Sequence, residues 1–388
     1  MQFQKTFVTV ASLLSVSSAF ASPAIRGTYL PQDQLPKNVC ALYAINLVTT
    51  ITPIDQNKKP IGPPHSETEA ESFYCSATLF RDDAVMTAAH CFQGTIEYVP
   101  RLGKTPDGKL VRVDLKMDHV EIRCPGDDGQ IETHITTVAD GWPHPRFGKK
   151  AESAVFDVAV LKTKEKWKTK PMPVLLEDNS VRDLLTANQS CRTFGYGQDN
   201  EQKVGILHGL QIKSDIYWSP GTVAFAGVQG VDHGDSGGAL VCQDRQGHSY
   251  LSGVTSRMHD EDPNTPSYGS YFVATDFNAG WVDFALTHEK LDHESVVLFN
   301  FYEVESANEA LNQCIQAREN EGVSTRDMGE FQTAYNEIAQ SMRSLRRDLN
   351  NGSKPAGVVR IYLDDPYKAA KGALTQCESM RNFNRRRH

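Results

Sequence analysis

The sequence predicts a mainly β domain followed by a small helical appendage. From Cys40 to about Phe284, short runs rich in Val, Ile, Thr and Tyr are broken by Gly, Pro, Asn and Asp, the pattern of many short strands joined by turns. Such a pattern suits a sandwich or a barrel. Beyond it the character changes: apolar residues recur every three or four positions and β-branched residues become scarce, as in surface helices. The 388 residues leave room for two or three compact units with ample core.

Taken in order, residues 1–21 read as a secretory signal, with Lys5 as a short positive start, an apolar run from Phe7 to Phe20, and Ala19-Phe20-Ala21 as a small-x-small cleavage site. Residues 22–39 form an N-terminal segment and candidate propeptide. The expected strands include Ala44–Ile51, Ser76–Phe80, Leu110–Leu115, Phe156–Leu161, Gly205–Ile216 and Leu251–Thr255. Lys162–Lys170 is a charged run read as a solvated linker between two halves. Trp281-Val282-Asp283-Phe284 opens a short helix that closes the domain, whose expected limits are 40–288. The appendage, 289–388, holds three expected helices: Glu303–Asn320, Arg326–Asn350 and Pro366–Asn382. In the second, Phe331, Tyr335, Ile338, Met342 and Leu345 make one apolar face. Asn350-Asn351-Gly352-Ser353 is a stop signal, and Asp365-Pro366 reads as N-cap and first-turn proline.

Composition excludes some functions. The net charge of −8 and pI near 5.9 give no basic footprint for nucleic acid. The signal run is too short to span a membrane, and charges interrupt every later apolar segment. The mature chain is therefore expected to be exported, secreted or periplasmic, and free of the membrane. Eight cysteines suit an oxidising compartment but alone allow about 105 pairings. His65, His119 and His134 lack metal-ligand spacing, and Cys124-Pro125-Gly126-Asp127-Asp128-Gly129 lacks the EF-hand pattern and reads as a polar turn. No metal and no cofactor is expected.

Three segments carry chemistry. Thr87-Ala88-Ala89-His90-Cys91, Asp157-Val158-Ala159-Val160-Leu161 and Gly234-Asp235-Ser236-Gly237-Gly238 follow one another in the chain. They supply an imidazole, a carboxylate and a hydroxyl in the order His…Asp…Ser. A serine hydroxyl needs a base within hydrogen-bond reach. An imidazole is the usual side-chain base near neutral pH, so His90 could take the proton and return it to a leaving amine. Asp157, with apolar neighbours, could orient the imidazole. Glycines around Ser236 would let the backbone turn its N–H groups toward a developing oxyanion. An esterase with the same residue types would use a Gly-x-Ser-x-Gly elbow and the order Ser…Asp…His, which this chain does not have.

On these motifs the region from about Cys40 to Leu286 resembles the trypsin/chymotrypsin family of serine endopeptidases. The resemblance implies two antiparallel β-barrels with the cleft between them, His90 and Asp157 coming from the first and Ser236 from the second. It implies a protein or peptide substrate, an oxyanion hole from the N–H groups of Gly234 and Ser236, and the bridges Cys75–Cys91 and Cys191–Cys242. Of the remaining cysteines, Cys40 is paired with Cys124 in the first half and Cys314 with Cys377 in the tail. The resemblance does not reach the tail, which is a candidate site for a protein partner. A catalytically silent homologue acting as a binding module is the rival reading, and fold alone does not decide between them.

The chain also departs from the family pattern. The resemblance implies that a free amino terminus pairs with Asp235, yet no Ile-Val-Gly-Gly exists. Ile25-Arg26-Gly27-Thr28 is the nearest match, and it follows Ala24 rather than Lys or Arg. The substrate pocket is implied at Gly230, Asp232, Ser256, Met258 and Ser270. Gly230 stands where a tryptic pocket has a carboxylate, Asp232 where a bridged cysteine is common, and Met258 where glycine is usual. Ser256 is expected to support Asp157. A small or medium apolar side chain before the scissile bond is the expectation, with Asp232 or His233 as possible sources of a charge bias.

Overall fold

The computed structural model describes residues 29–92, 101–105, 108–117, 119–126, 128–147, 155–177, 180–186, 190–198, 203–212, 216–219, 221–226, 231–258, 269–289, 293–351, 353 and 356–384. The signal, Ile25, Gly230 and the side chain of Met258 lie outside the described residues. The chain divides into two compact units, the first ending at Leu286 and the second starting at Thr287.

The first unit holds two antiparallel sheets. One is built from β1 (Val39–Pro53), β2 (His65–Arg81), β3 (Ala84–Thr87), β4 (Arg101–Lys104), β5 (Leu110–Lys116), β6 (His119–Pro125), β7 (Ile131–Thr137), β8 (Gly141–Pro143) and β9 (Ala159–Lys162). Its order is β4-β5-β1-β2-β3-β9-β8, with β6 pairing β1 and β7. The second holds β10 (Cys191–Gly195), β11 (His208–Gln211), β12 (Ile216–Ser219), β13 (Thr222–Ala226), β14 (Ala239–Gln243), β15 (Ser249–Met258) and β16 (Gly269–Ala274), in the order β11-β10-β14-β15-β16-β13-β12. Every pairing within these sheets is antiparallel. This is the chymotrypsin-type arrangement. Each sheet has its own core: Leu42, Leu79, Met86, Ile122 and Leu161 are buried in the first, and Val223, Phe225, Leu240, Phe272 and Ala274 pack together in the second. Helix α1 (Ser180–Thr186) lies between the sheets in sequence, and α2 (Ala279–Thr287) closes the unit.

Two strand expectations are corrected. Phe156 lies in a short helical turn and Asp157 in an irregular residue, the strand starting only at Ala159. The run Gly205–Ile216 is not one strand. Gly205 has φ +79°, a left-handed turn conformation that an L side chain resists, and the β11 pairing spans only His208–Gln211. The charged linker is only partly solvated, since Trp167 is buried and packs at a tilt against His134 with ring centroids 4.0 Å apart.

The second unit holds α3 (His293–Asn320), α4 (Thr325–Asn350) and α5 (Ala356–Asn384). The apolar face of α4 turns inward: Ile338, Met342 and Leu345 pack with Val297, Phe301, Leu363 and Ala370, and Phe331 and Tyr335 with Leu311, Ile315 and Cys377. Pro366 does not start α5; it sits inside it. A mid-helix proline costs about 3 kcal/mol. Leu363, Tyr367, Ala370 and Leu374 form one buried or half-buried stripe across the proline, and burial of apolar side chains at about 1.5–3 kcal/mol each offsets that cost. Four disulfides join Cys40–Cys124, Cys75–Cys91, Cys191–Cys242 and Cys314–Cys377. No helix among the described residues is long and apolar enough to cross a membrane.

Candidate active site

His90 stands in the helical turn Ala89–Phe92 directly after β3, and the Cys75–Cys91 disulfide ties that turn to β2. Asp157 precedes β9, the strand that pairs with β3. The pairing brings residues 67 apart in sequence together. Asp157 accepts the backbone N–H of His90 on Oδ1 at 2.8 Å and the ring Nδ1 on Oδ2 at 2.8 Å. Ser256 Oγ donates to Oδ2 at 2.6 Å. The Asp157 side chain is 4% exposed and that of His90 is 25% exposed. A buried carboxylate that accepts three hydrogen bonds fixes the ring. Because Nδ1 donates to it, a neutral His90 presents Nε2 as an acceptor, the form a general base needs.

Ser256 reaches Asp157 through a β-bulge. The register of β15 against β16 slips between Thr255 and Arg257, leaving Ser256 as the extra residue, and a bulge re-aims its side chain.

The Ser236 turn is held from several sides. Ser76 N–H donates to the Ser236 carbonyl at 2.8 Å, and Gly237 N–H to the Thr255 carbonyl at 2.8 Å. Gly234 and Gly237 have φ +91° and +83°. A Cβ on Gly237 would lie 2.0 Å from Thr87 Oγ1 and 2.1 Å from the Ser76 carbonyl oxygen, so only glycine fits there. Among the described residues, the N–H groups of Gly234 and Ser236 donate to no protein acceptor. Ser236 Oγ makes no hydrogen bond to His90.

Ser76 had no sequence signal. Its hydroxyl donates to the Gly234 carbonyl at 2.8 Å and accepts Tyr196 N–H at 2.9 Å, clamping the turn to the segment after β10. Its partners lie 158 and 120 residues away, too far for any local pattern. His208 and Gly197, which meet Asp235, were likewise unmarked: Gly197 N–H donates to Asp235 Oδ1 at 2.8 Å, and His208 Nε2 lies 3.2 Å from the same oxygen.

Of the expected pocket residues, Ser270 is buried and its Oγ accepts Val231 N–H at 2.9 Å. The backbone of Met258 pairs with Ser270 across β15 and β16. Asp232 donates its N–H to Asp235 Oδ2 at 3.0 Å and accepts from His233 N–H. Burial holds the Asp232 carboxyl above its usual range, and the nearby Asp235 charge adds to this against the opposing His233 contacts. Cys75, His90 and Cys91 bring ligand atoms within 4.8 Å of one another, but the two sulfurs are bonded to each other, so the cluster offers a metal one imidazole only.

Compared with known proteins, residues 64–282 match the trypsin family model. The chain is 25% identical over 206 residues to phenoloxidase-activating enzyme 1 of Spodoptera litura, covering 48% of this chain and 52% of that protein. It thus spans about half the length of that relative. It is 24% identical over 253 residues to chymotrypsin-like elastase family member 1 of Bos taurus, covering 61% of this chain and 88% of that one. Among solved structures it is similar to neuropsin, a serine protease expressed in the limbic system of mouse brain, with 18% identity, a TM-score of 0.43 and coverage of 67% and 99%.

Proposed function

We propose, since this chain belongs to the trypsin family, that it is an exported serine endopeptidase acting through an acyl-enzyme. The observation that carries this reading is the His90–Asp157 pair: a buried carboxylate bonded to both the backbone and Nδ1 of a partly exposed histidine. Ser236 is the nucleophile. His90 Nε2 removes its proton as it attacks the scissile carbonyl, and the imidazolium is stabilised by Asp157. The tetrahedral oxyanion is bound by the N–H groups of Gly234 and Ser236. His90 then returns the proton to the leaving amine. Water, deprotonated by His90, releases the acyl group from Ser236.

The rival is a silent homologue, and it draws on one observation, the unformed Ser236–His90 hydrogen bond. Such bonds are often long without substrate and tighten with it. The pocket is proposed to take a small or medium apolar side chain, because a cation buried without a partner costs several kcal/mol.

A fluorophosphonate probe tests the reading. Covalent labelling of Ser236, lost in Ser236→Ala and reduced by about 10³-fold or more in His90→Ala, is the expected result. An unlabelled, folded wild-type protein would sink it in favour of the binding module.

A further inference from the structure

Asp235, next to the nucleophile, has a side chain only 1% exposed. Its two carboxylate oxygens accept the N–H groups of Gly197 and Asp232. A buried carboxylate without a cation is costly. A histidine in contact is His208, whose ring is 7% exposed and whose Nε2 lies 3.2 Å from Oδ1, close enough for an ion pair if the ring is protonated though not aligned as a hydrogen bond. The other ring nitrogen, Nδ1, faces the Ile206 carbonyl at 3.0 Å.

A neutral imidazole has one donor and one acceptor nitrogen. Here both nitrogens face oxygen acceptors. A ring protonated on Nδ1 alone serves the Ile206 carbonyl but leaves the Asp235 charge without a cation; the imidazolium also sets a positive charge 3.2 Å from Oδ1.

We propose that His208 is the built-in counter-charge of Asp235, and so a positioning residue for the Gly234–Gly237 turn that would bind the oxyanion. This deepens the protease reading and rests on it. The charge stands in the place that the family resemblance gave to a free amino terminus at Ile25.

The surroundings favour a held ring. Tyr29 packs on it with ring centroids 5.6 Å apart, and Leu30 N–H donates to the Gly209 carbonyl at 2.9 Å. Among the described residues, the other titratable groups on the Asp235 loop are Asp232 and the exposed His233. On β10, Arg192 is engaged by Gln211 Oε1. Loss of the His208 proton would leave Asp235 unpaired, so turnover should carry an alkaline limb.

His208→Gln keeps a side-chain donor and removes the charge. It is expected to lower kcat and the affinity for a peptide boronate by about tenfold or more, with KM changed little, and to abolish the alkaline limb. His208→Lys should restore part of both. A folded His208→Gln protein within twofold of wild type in kcat and boronate affinity overturns the proposal.

Two measurements on the wild type stand if the variant does not fold. The ¹⁵N spectrum should show the buried ring protonated on both nitrogens near neutral pH; a neutral ring there overturns the proposal. A protein carrying one extra residue ahead of Ile25 should react with fluorophosphonate as fast as one that begins at Ile25; reaction only in the latter overturns it. The ¹⁵N measurement needs no catalysis, so it remains decisive if the protease reading itself fails.

Discussion

His144 shows how one buried side chain writes a pH dependence into the fold. It is 3% exposed, stacks on Phe156 with ring centroids 4.6 Å apart, and its Nδ1 accepts Arg146 N–H at 3.2 Å. An accepting Nδ1 requires the neutral ring. Burial, and secondarily the Arg146 charge, hold its pKa well below the ordinary 6.5. In the unfolded chain the imidazole takes up a proton as pH falls through about 6.5, while in the fold it stays neutral. The unfolded state then binds more protons, so stability drops as pH falls below that value. The slope contributed by this group is at most about 1.4 kcal/mol per pH unit. Replacing His144 with Phe should flatten the urea-unfolding stability between neutral and mildly acid pH relative to wild type. An equally steep decline in the variant would remove His144 as the cause.

Among the elements, α3 and α5 are tied by Cys314–Cys377 across a sequence separation of 63. Both cysteines belong to the cluster that holds Leu311, Ile315 and Met328, so the bridge joins faces already packed together. Closing a loop of that length removes about 4 kcal/mol of chain entropy from the unfolded state. Cys314→Ala/Cys377→Ala should therefore lower the unfolding free energy of the helical unit by about 2–5 kcal/mol, read from the loss of helical circular dichroism in denaturant. A midpoint unchanged from wild type would mean that packing alone sets its stability. Element boundaries were also where sequence pattern misled. Asp365-Pro366 carries a local start signal, yet the apolar stripe from Leu363 to Leu374 runs through it, and packing of that stripe overrides the cap.

At the scale of the whole molecule, the division at Leu286/Thr287 separates two units that each bury their own apolar residues. The first is crosslinked by three disulfides and the second by one. Independent cores make a single cooperative transition a poor description. Differential scanning calorimetry should resolve two endotherms, and reduction of the disulfides should shift both. One two-state peak with equal calorimetric and van't Hoff enthalpies would show that the units unfold together.

What the sequence determined by itself was local. The strand-and-turn texture, the three tail helices and the His90, Asp157 and Ser236 segments are legible because each depends on neighbours a few positions away: glycines for the turn around Ser236, apolar alternation for strands, periodicity for α4. What only the tertiary structure decided is who meets whom. Ser76 reaches Gly234 across 158 residues and Gly197 reaches Asp235 across 38. Those contacts leave no trace in spacing, because a buried polar group takes its partner from whatever the two sheets bring within about 3 Å, and strand pairing, not sequence distance, sets that.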